Sequence, residues 1–514
     1  MIMFFVRRLL TSSLVVLVST LIMYVLVDLA IDPLEDLRLS TAPNKQQLID
    51  SREALLSLND PVLVRYLDWL GGVFGCFTGS CDLGTNWRTS QPVTSLLAGA
   101  VGTTLQLITA ATLIAIVLGV LVGIVSALRQ YTGFDYSITF LSFLLYSLPV
   151  FWVAVLLKQF AAIEFNTFLN NDPSVPLWFY AVMILLVGGF VTAAMGGPWL
   201  VRLRNFAIAG GAMLVTLLYI DLTGWLTDPA LTIVGVAVGA IASAFALTTL
   251  STGLRDRRAL GAALTVAGLG IALYYPLQYL WYYLEETLLI ILGLGVLSIV
   301  VGVLVGLAWG GPDRWRSART AALTAIPVSG LLFVEQLLVN WERYSNSGLI
   351  RGRPIATFGR TTPNFEGSFW LETLDLLAHL VLPTLTLILI SFAAYTRYTR
   401  ASTLEVLNQD YIRTARAKGL TERTVVMRHA FRNALIPLAS IVPVDIITLV
   451  GGAVITETIF NWFGMGKLFV DSLNGNIIDP VMAYLLIVAI LAVVANFVAD
   501  LVYAVLDPRI RVNA

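Results

Sequence analysis

Charge is scarce in this sequence. Asp, Glu, Lys and Arg make up 12% of its 514 residues, where a soluble domain carries about a quarter. That deficit excludes an ordinary soluble enzyme or binding domain. The 58% hydrophobic content and a mean hydropathy of +0.83 indicate a chain that crosses a membrane many times. The 32 basic and 32 acidic side chains balance to zero, so no global field argues for a nucleic-acid partner. Histidine and cysteine are nearly missing: His379, His429, Cys76 and Cys81 are the whole supply. No spaced cluster exists for zinc, and catalytic triads or metal pairs lack raw material. Accordingly no catalytic residue, metal or cofactor is expected. A G-x-x-x-x-G-K-[ST] loop is also missing, since Gly464-Met-Gly466-Lys467-Leu468 lacks both the spacing and the hydroxyl.

What is present is a series of apolar runs. Arg7 and Arg8 precede one at about 9–30. It is too long for a signal-peptide core and has no small-residue cleavage site, so it reads as a retained first span with the N-terminus inside. Residues 32–95 turn polar and read as a small external domain. Cys76 and Cys81, with four residues between them there, suggest a disulfide hairpin; a pair of free thiols is the other reading. Further spans are expected at about 101–128, where Gly119 and Gly123 are spaced for close helix contact, and at about 137–162.

Residues 176–341 are strongly apolar and hold six candidate spans, near 177–197, 205–223, 229–250, 261–281, 286–309 and 320–340. Arginines mark alternate turns: Arg202 and Arg204, then Arg255, Arg257 and Arg258, then Arg314, Arg316 and Arg319. The turns at 221–228 and 282–287 have acids and no Lys or Arg. That alternation is the positive-inside pattern of six crossings, and an even count returns the chain to the side it left. Small residues at Gly235, Gly239 and Ser243, and at Gly302 and Gly306, suggest close packing. An external segment (342–380) and further spans follow, so the expected fold is an all-α polytopic membrane protein of about 12 transmembrane helices.

Residues 405–432, EVLNQDYIRTARAKGLTERTVVMRHAFR, form a polar island among these runs. Arg413, Arg416, Lys418, Arg423, Arg428 and Arg432 face only Glu405, Asp410 and Glu422. One Arg or Lys at mid-bilayer costs about 2.5–3.5 kcal/mol, so the island lies outside the membrane, on the cytoplasmic side. Leu404, Leu407, Tyr411 and Ala415 trace one helical stripe, and Met427, Ala430, Phe431 and Ala434 a second. Gly419 suits a C-cap, and Thr421 followed by Glu422 an N-cap. Two amphipathic helices hinged at glycine are shaped for a soluble partner's grip; a loop that only sets topology is the bland reading.

Five strings carry a likeness to a known family. YIRTARAKGL followed by RHAFRNALIPL closely resembles the coupling loop of permease subunits in peptide- and nickel-type ABC importers. Against the wider importer pattern, which begins Glu-Ala-Ala, Arg413 and Thr414 replace the first two residues, Ala415 and Gly419 remain, and Pro437 lies further along. LNDPVLVRYLDWLGGVFG and DLGTNWRTSQPV resemble the family's external loop, and GGAVITETIFNWFGMGKLFVDSL its last external turn.

The likeness implies a six-helix permease core, interrupted by a six-helix insert at 176–341 that nothing in the family resembles. The core's first part spans 96–175 after the 1–31 helix, and its second part 381–514, with the coupling loop at 404–433. The likeness further implies a second related permease, two ATP-binding subunits and an extracytoplasmic substrate-binding protein. It also implies a place in the inner or plasma membrane, surrounded by membrane lipid, with both termini cytoplasmic and no nucleic acid. The residues it marks for ATPase coupling are Asp410, Tyr411, Arg413, Thr414, Ala415, Arg416, Ala417, Lys418, Gly419 and Leu420.

Within the spans, Asp445 follows Pro443 and reads either as lining a translocation path or as a buried acid bonded to a neighbouring helix. Lys158, Glu335 and Asp500 sit near span ends and are expected to reach the interface. A secondary transporter of about twelve spans driven by an ion gradient is the competing function, although the repeats and paired broken helices usual there are not evident.

Overall fold

The computed structural model describes residues 2–171, 173–283, 287–311 and 313–506. Among them, 11 helices are long and apolar enough to cross a membrane, or 12 with a pair bent by 45° counted as one span. The bend joins Arg257–Ala272 to Tyr274–Trp281. With the insert's other five helices (Leu177–Met195, Trp199–Leu222, Thr232–Ser251, Leu288–Trp309 and Arg314–Val339), this pair makes six crossings.

The first helix, Ile2–Ala30, supports the polar segment that follows it. Short helices Glu35–Leu39, Lys45–Leu55 and Val62–Thr78 lead to a two-stranded ribbon pairing Thr85 with Pro92. Tyr24 of the first helix packs against Tyr66 and Trp69, with ring centroids 5.6 and 6.2 Å away. Asp28 accepts two hydrogen bonds from Arg65, at 2.7 and 3.1 Å. An apolar patch and a forked ion pair thus fix this small domain to the span. A disulfide joins Cys76 to Cys81 in it.

The centre of the molecule is the contact between Val93–Leu128 and the 39-residue helix Phe369–Leu407. Two glycines set that contact. A Cβ on Gly119 would lie 2.6 Å from the Tyr395 Cβ, and one on Gly123 would lie 2.8 Å from the Thr396 carbonyl oxygen. The long helix begins at Phe369, where Trp370 and Leu374 are buried against Leu337, Tyr344 and Ile350. The third core span is broken. Helix Gly133–Ser147 stops at Leu148 and Pro149, both extended, and Val150–Asn170 continues, because the residue before proline is pushed out of helical conformation.

The insert packs mostly on itself, in two parts. Leu177–Met195 and Trp199–Leu222 form a hairpin that leans on Gly133–Ser147. The remaining four crossings form a bundle centred on Arg314–Val339. Gly302 and Gly306 admit the backbone of that helix directly, with Ala321, Ala322 and Ala318 as the contacts. Gly239 receives Leu331, whereas Gly235 meets only its own neighbour Leu231.

Two charged residues depart from expectation. Glu335 does not reach the interface: it is 3% exposed and accepts hydrogen bonds from the Tyr274 hydroxyl (2.6 Å) and the Leu231 amide (2.8 Å). It satisfies an amide at the start of Thr232–Ser251 that would otherwise be orphaned. Lys158 is half-buried and donates to the Ile459 carbonyl at 2.9 Å, at the end of helix Val454–Ile459. The Asp500 and Arg423 side chains lie outside the described residues, as do residues 284–286 and 507–514.

Candidate functional site

The basic loop folds into two short helical pieces around a glycine. Helix Asp410–Ala417 ends in a Schellman cap: Gly419 takes φ +74°, its amide bonds the Arg416 carbonyl (2.9 Å), and the Leu420 amide reaches Ala415 (3.4 Å). The next piece starts at Thr421, whose hydroxyl accepts from the Thr424 amide at 3.4 Å. Helical turns Val425–Ala430 and Phe431–Ala434 complete it.

Burial sorts the loop's faces. Ile412, Ala415, Val425 and Ala430 form a small core with Val406 and Leu407. The stripe expected through Tyr411 does not continue, because the chain bends at Asn408 and Gln409 between the two helices, and the rotation turns Ile412 inward instead. Tyr411, Leu420 and Met427 face out, at 42%, 40% and 49% exposure. Asp410, Arg413, Thr414, Arg416, Ala417, Lys418 and Gly419 are exposed as well. Of the candidate coupling residues, only Ala415 is buried.

Internal bonds keep the hairpin rigid. Arg416 donates to both oxygens of Glu422, at 3.1 and 2.6 Å, which holds the Glu422 carboxyl below its usual range. Asn433 donates to the Tyr411 hydroxyl at 2.9 Å, and Ser402 to the Ala434 carbonyl at 2.8 Å.

About two turns before the long helix ends at Leu407, an ion pair on a buried carboxylate clamps it. Arg400 donates through Nε and Nη2 to the oxygens of Asp135, at 2.7 and 2.9 Å. Ser126 and the Tyr131 amide donate to the same carboxylate. Asp135 is 2% exposed, so every acceptor position counts. The clamp ties the loop-bearing helix to Val93–Leu128 and Gly133–Ser147. Neither residue stands out in the sequence, because charge near a span end is common. A second polar knot is on the opposite side. Glu457, fully buried, accepts from the Thr104 hydroxyl (2.6 Å) and the Lys467 amide (3.0 Å), and Thr104 accepts from the Met465 amide (2.8 Å). Trp462 donates to the Thr103 carbonyl at 3.2 Å. A side chain at Gly464 would strike both Glu457 and Thr104. A lone acid within ITETIF was the available signal for Glu457.

Asp445 is half-buried on helix Ile436–Gly452, with the Tyr395 hydroxyl beside its carboxylate in a pairing looser than a formed hydrogen bond.

Comparisons with known proteins place this architecture. Residues 343–512 match the family described as binding-protein-dependent transport system inner membrane component, and residues 1–108 match its N-terminal part. The dipeptide transport system permease protein DppB of Escherichia coli K12 is 35% identical over 237 residues, 43% of this chain and 70% of that protein. The chain belongs to this permease family. Oligopeptide permease OppB of Mycobacterium tuberculosis H37Rv is 38% identical over 227 residues, 42% of this chain and 67% of that protein. Oligopeptide permease AppB of Bacillus subtilis is 50% identical over a shorter 137 residues, 27% of this chain and 43% of that protein. The permease is accordingly an ABC importer component, a multi-pass inner-membrane protein whose role is transport. Residues 109–342, between the two matched segments, contain every insert helix.

Proposed function

We propose that this permease pairs with a second related permease to carry peptides, or related small solutes, across the inner membrane by alternating access. Two separate ATP-binding subunits supply the energy, and an extracytoplasmic binding protein delivers the solute. Residues 410–420 dock on an ATP-binding subunit, which places that loop and both termini in the cytoplasm. The observation that carries this reading is the loop itself: a glycine-capped hairpin with an exposed basic and apolar face, hung from a helix clamped two turns before the loop. Peptide cargo rests on likeness to relatives named for dipeptide and oligopeptide transport. Asp445 is proposed to line the path, and the insert to lie outside it.

Gly419 gives the test. Nothing lies within 4 Å of its Cβ position, so a side chain there meets no clash and acts through backbone conformation alone. Gly419→Val imposes about 1–2 kcal/mol of strain on the left-handed cap, which corresponds to roughly a five- to thirtyfold shift in the competent population. Substrate-stimulated ATPase activity of the assembled complex should fall while membrane insertion stays intact, and Arg413→Gln with Lys418→Gln should weaken ATPase co-purification in a salt-dependent way. Normal coupling in Gly419→Val would sink the proposed role of the bend.

A further inference from the structure

Helix Val62–Thr78 of the small polar domain has three faces, and the described residues cover two of them. Tyr66 and Trp69 are buried against Tyr24 of the first span. Gly72 and Gly75 carry the returning backbone, because the Asp82 and Ser80 amides bond their carbonyls at 3.2 and 2.9 Å. A Cβ on either glycine would strike that backbone. The third face is a stripe of Leu63, Leu67, Leu70, Phe74 and Phe77, spaced alternately four and three residues apart. Leu63, Leu67, Phe74 and Phe77 are each more than half exposed. The two charges of the helix, Arg65 and Asp68, lie off the stripe. A continuous exposed apolar stripe marks a contact with something outside the chain.

Depth decides what that is. Arg65 and Tyr66, neighbours on the helix, reach in opposite directions along the first span. Arg65 donates to Asp28 at 2.7 Å. The Tyr66 hydroxyl lies 3.0 Å from the Thr20 hydroxyl and donates to the Leu17 carbonyl at 3.1 Å. No charge lies between Arg8 and Asp28, and that stretch of helix is about 30 Å long, the thickness of the hydrocarbon core. Asp28 therefore marks the outer edge of the core, and Thr20 lies about 12 Å inside it. The helix meets the span between those two levels, beside Tyr24, about 6 Å below Asp28. Amphipathic helices that lie in a membrane interface sink about 5–10 Å past its boundary.

We propose that Val62–Thr78 lies in the leaflet at the Ala30 end of the first span, with its stripe against the acyl chains. Ile22, Leu26 and Leu29 of the first span are exposed over the same depth, so the stripe extends an apolar surface that already faces lipid. The neighbouring helix Lys45–Leu55 differs: it exposes Gln46, Gln47, Asp50 and Ser51 and suits water. The domain is thus half-sunk, with one helix in lipid and one above it. Its ribbon is tied to the last span as well, through the Thr85 amide on Asp479 (3.0 Å) and Trp87 on the Asn476 carbonyl (3.3 Å). Lipid on one side and the last span on the other fix the height of the domain.

The test uses the full chain, assembled in proteoliposomes with accompanying subunits from which cysteine has been removed. Cys76 and Cys81 are bonded to each other and leave no free thiol, so a nitroxide on one introduced cysteine reports a single position. Nitroxides at Leu63→Cys and Leu67→Cys should collide several-fold more with oxygen, which concentrates in hydrocarbon, than with a water-soluble nickel chelate. Asp68→Cys, one residue further on, should show the reverse order. Two stripe positions keep the test decidable if one substitution prevents assembly. Preference for the chelate at both would put the stripe in water and overturn the proposal. Low collision with both reagents would mean that a protein, such as a second permease, covers the stripe, and would equally overturn the lipid contact. Oxygen preference at Asp68→Cys would overturn the in-plane placement.

Discussion

The permease core and the insert solve the same packing problem by different means. In the insert bundle the helices meet through small side chains: Ala240, Ala244, Ala263 and Ala267 are buried together, and Gly302 and Gly306 admit a neighbouring backbone. In the core, glycines set the central contact too, but polar knots fasten the ends, Asp135–Arg400 on one side and Glu457–Thr104 on the other. Close apolar packing has one best arrangement and resists change. Hydrogen-bonded charge pairs can be exchanged for other partners or water as helices tilt. The insert has one buried carboxylate of its own, Glu335, so the difference is one of degree, and we propose on it that the core is the part that switches.

The largest expected effects come from the buried carboxylates. Asp135→Asn leaves Arg400 without its counter-charge, a loss of about 3–5 kcal/mol. Thermal unfolding of the assembled complex should drop markedly, and transport with it. Glu335→Gln in the insert keeps one acceptor for Tyr274 or Leu231 and should cost about 1.5–3 kcal/mol, with transport retained. Equal transport defects in the two variants would erase the proposed distinction.

Next in size are the glycine contacts. Gly119→Val and Gly306→Val both force a side chain against a neighbouring helix, and each should destabilise by about 1–3 kcal/mol or more. The two should differ in uptake by proteoliposomes holding the assembled importer, where only Gly119→Val abolishes transport. Loss of uptake in Gly306→Val at normal complex yield would bring the insert into the transport cycle.

The smallest effect is expected at the loop surface. Arg416 and Glu422 are partly exposed, so Arg416→Gln should remove only about 0.2–1 kcal/mol from the hairpin. The Glu422 carboxyl is held down by its hydrogen bond from Arg416, so the pair's contribution is full above the ordinary glutamate range and is lost as pH falls from there through the lowered folded value. ATPase co-purification should weaken at acid pH in the native chain and lose that dependence in Arg416→Gln. A pH response unchanged by the substitution would assign it to another group.

Much of this was legible in the chain. Apolar run lengths and alternating arginines gave the crossings, since the bilayer makes a charged turn and an apolar span mutually exclusive. Gly119, Gly123, Gly302 and Gly306 marked helix contacts because only glycine allows backbones so close. Gly419 and Thr421 announced their caps through local backbone preference.

Tertiary structure alone decided the rest. Local pattern could not pair Asp135 with Arg400, 265 residues away, or Glu457 with Thr104, 353 residues away. It could not show that Glu335 turns inward to Tyr274 and Leu231, or that a bend at Asn408 puts Ile412 in the loop's core in place of Tyr411. Solvent preference is written into each residue, and sequence by itself determined which segments are apolar enough to cross a bilayer and where Gly419 and Thr421 cap their helices. Partner choice for a polar side chain depends on which helices are brought alongside it, and that is settled only when the long helices pack.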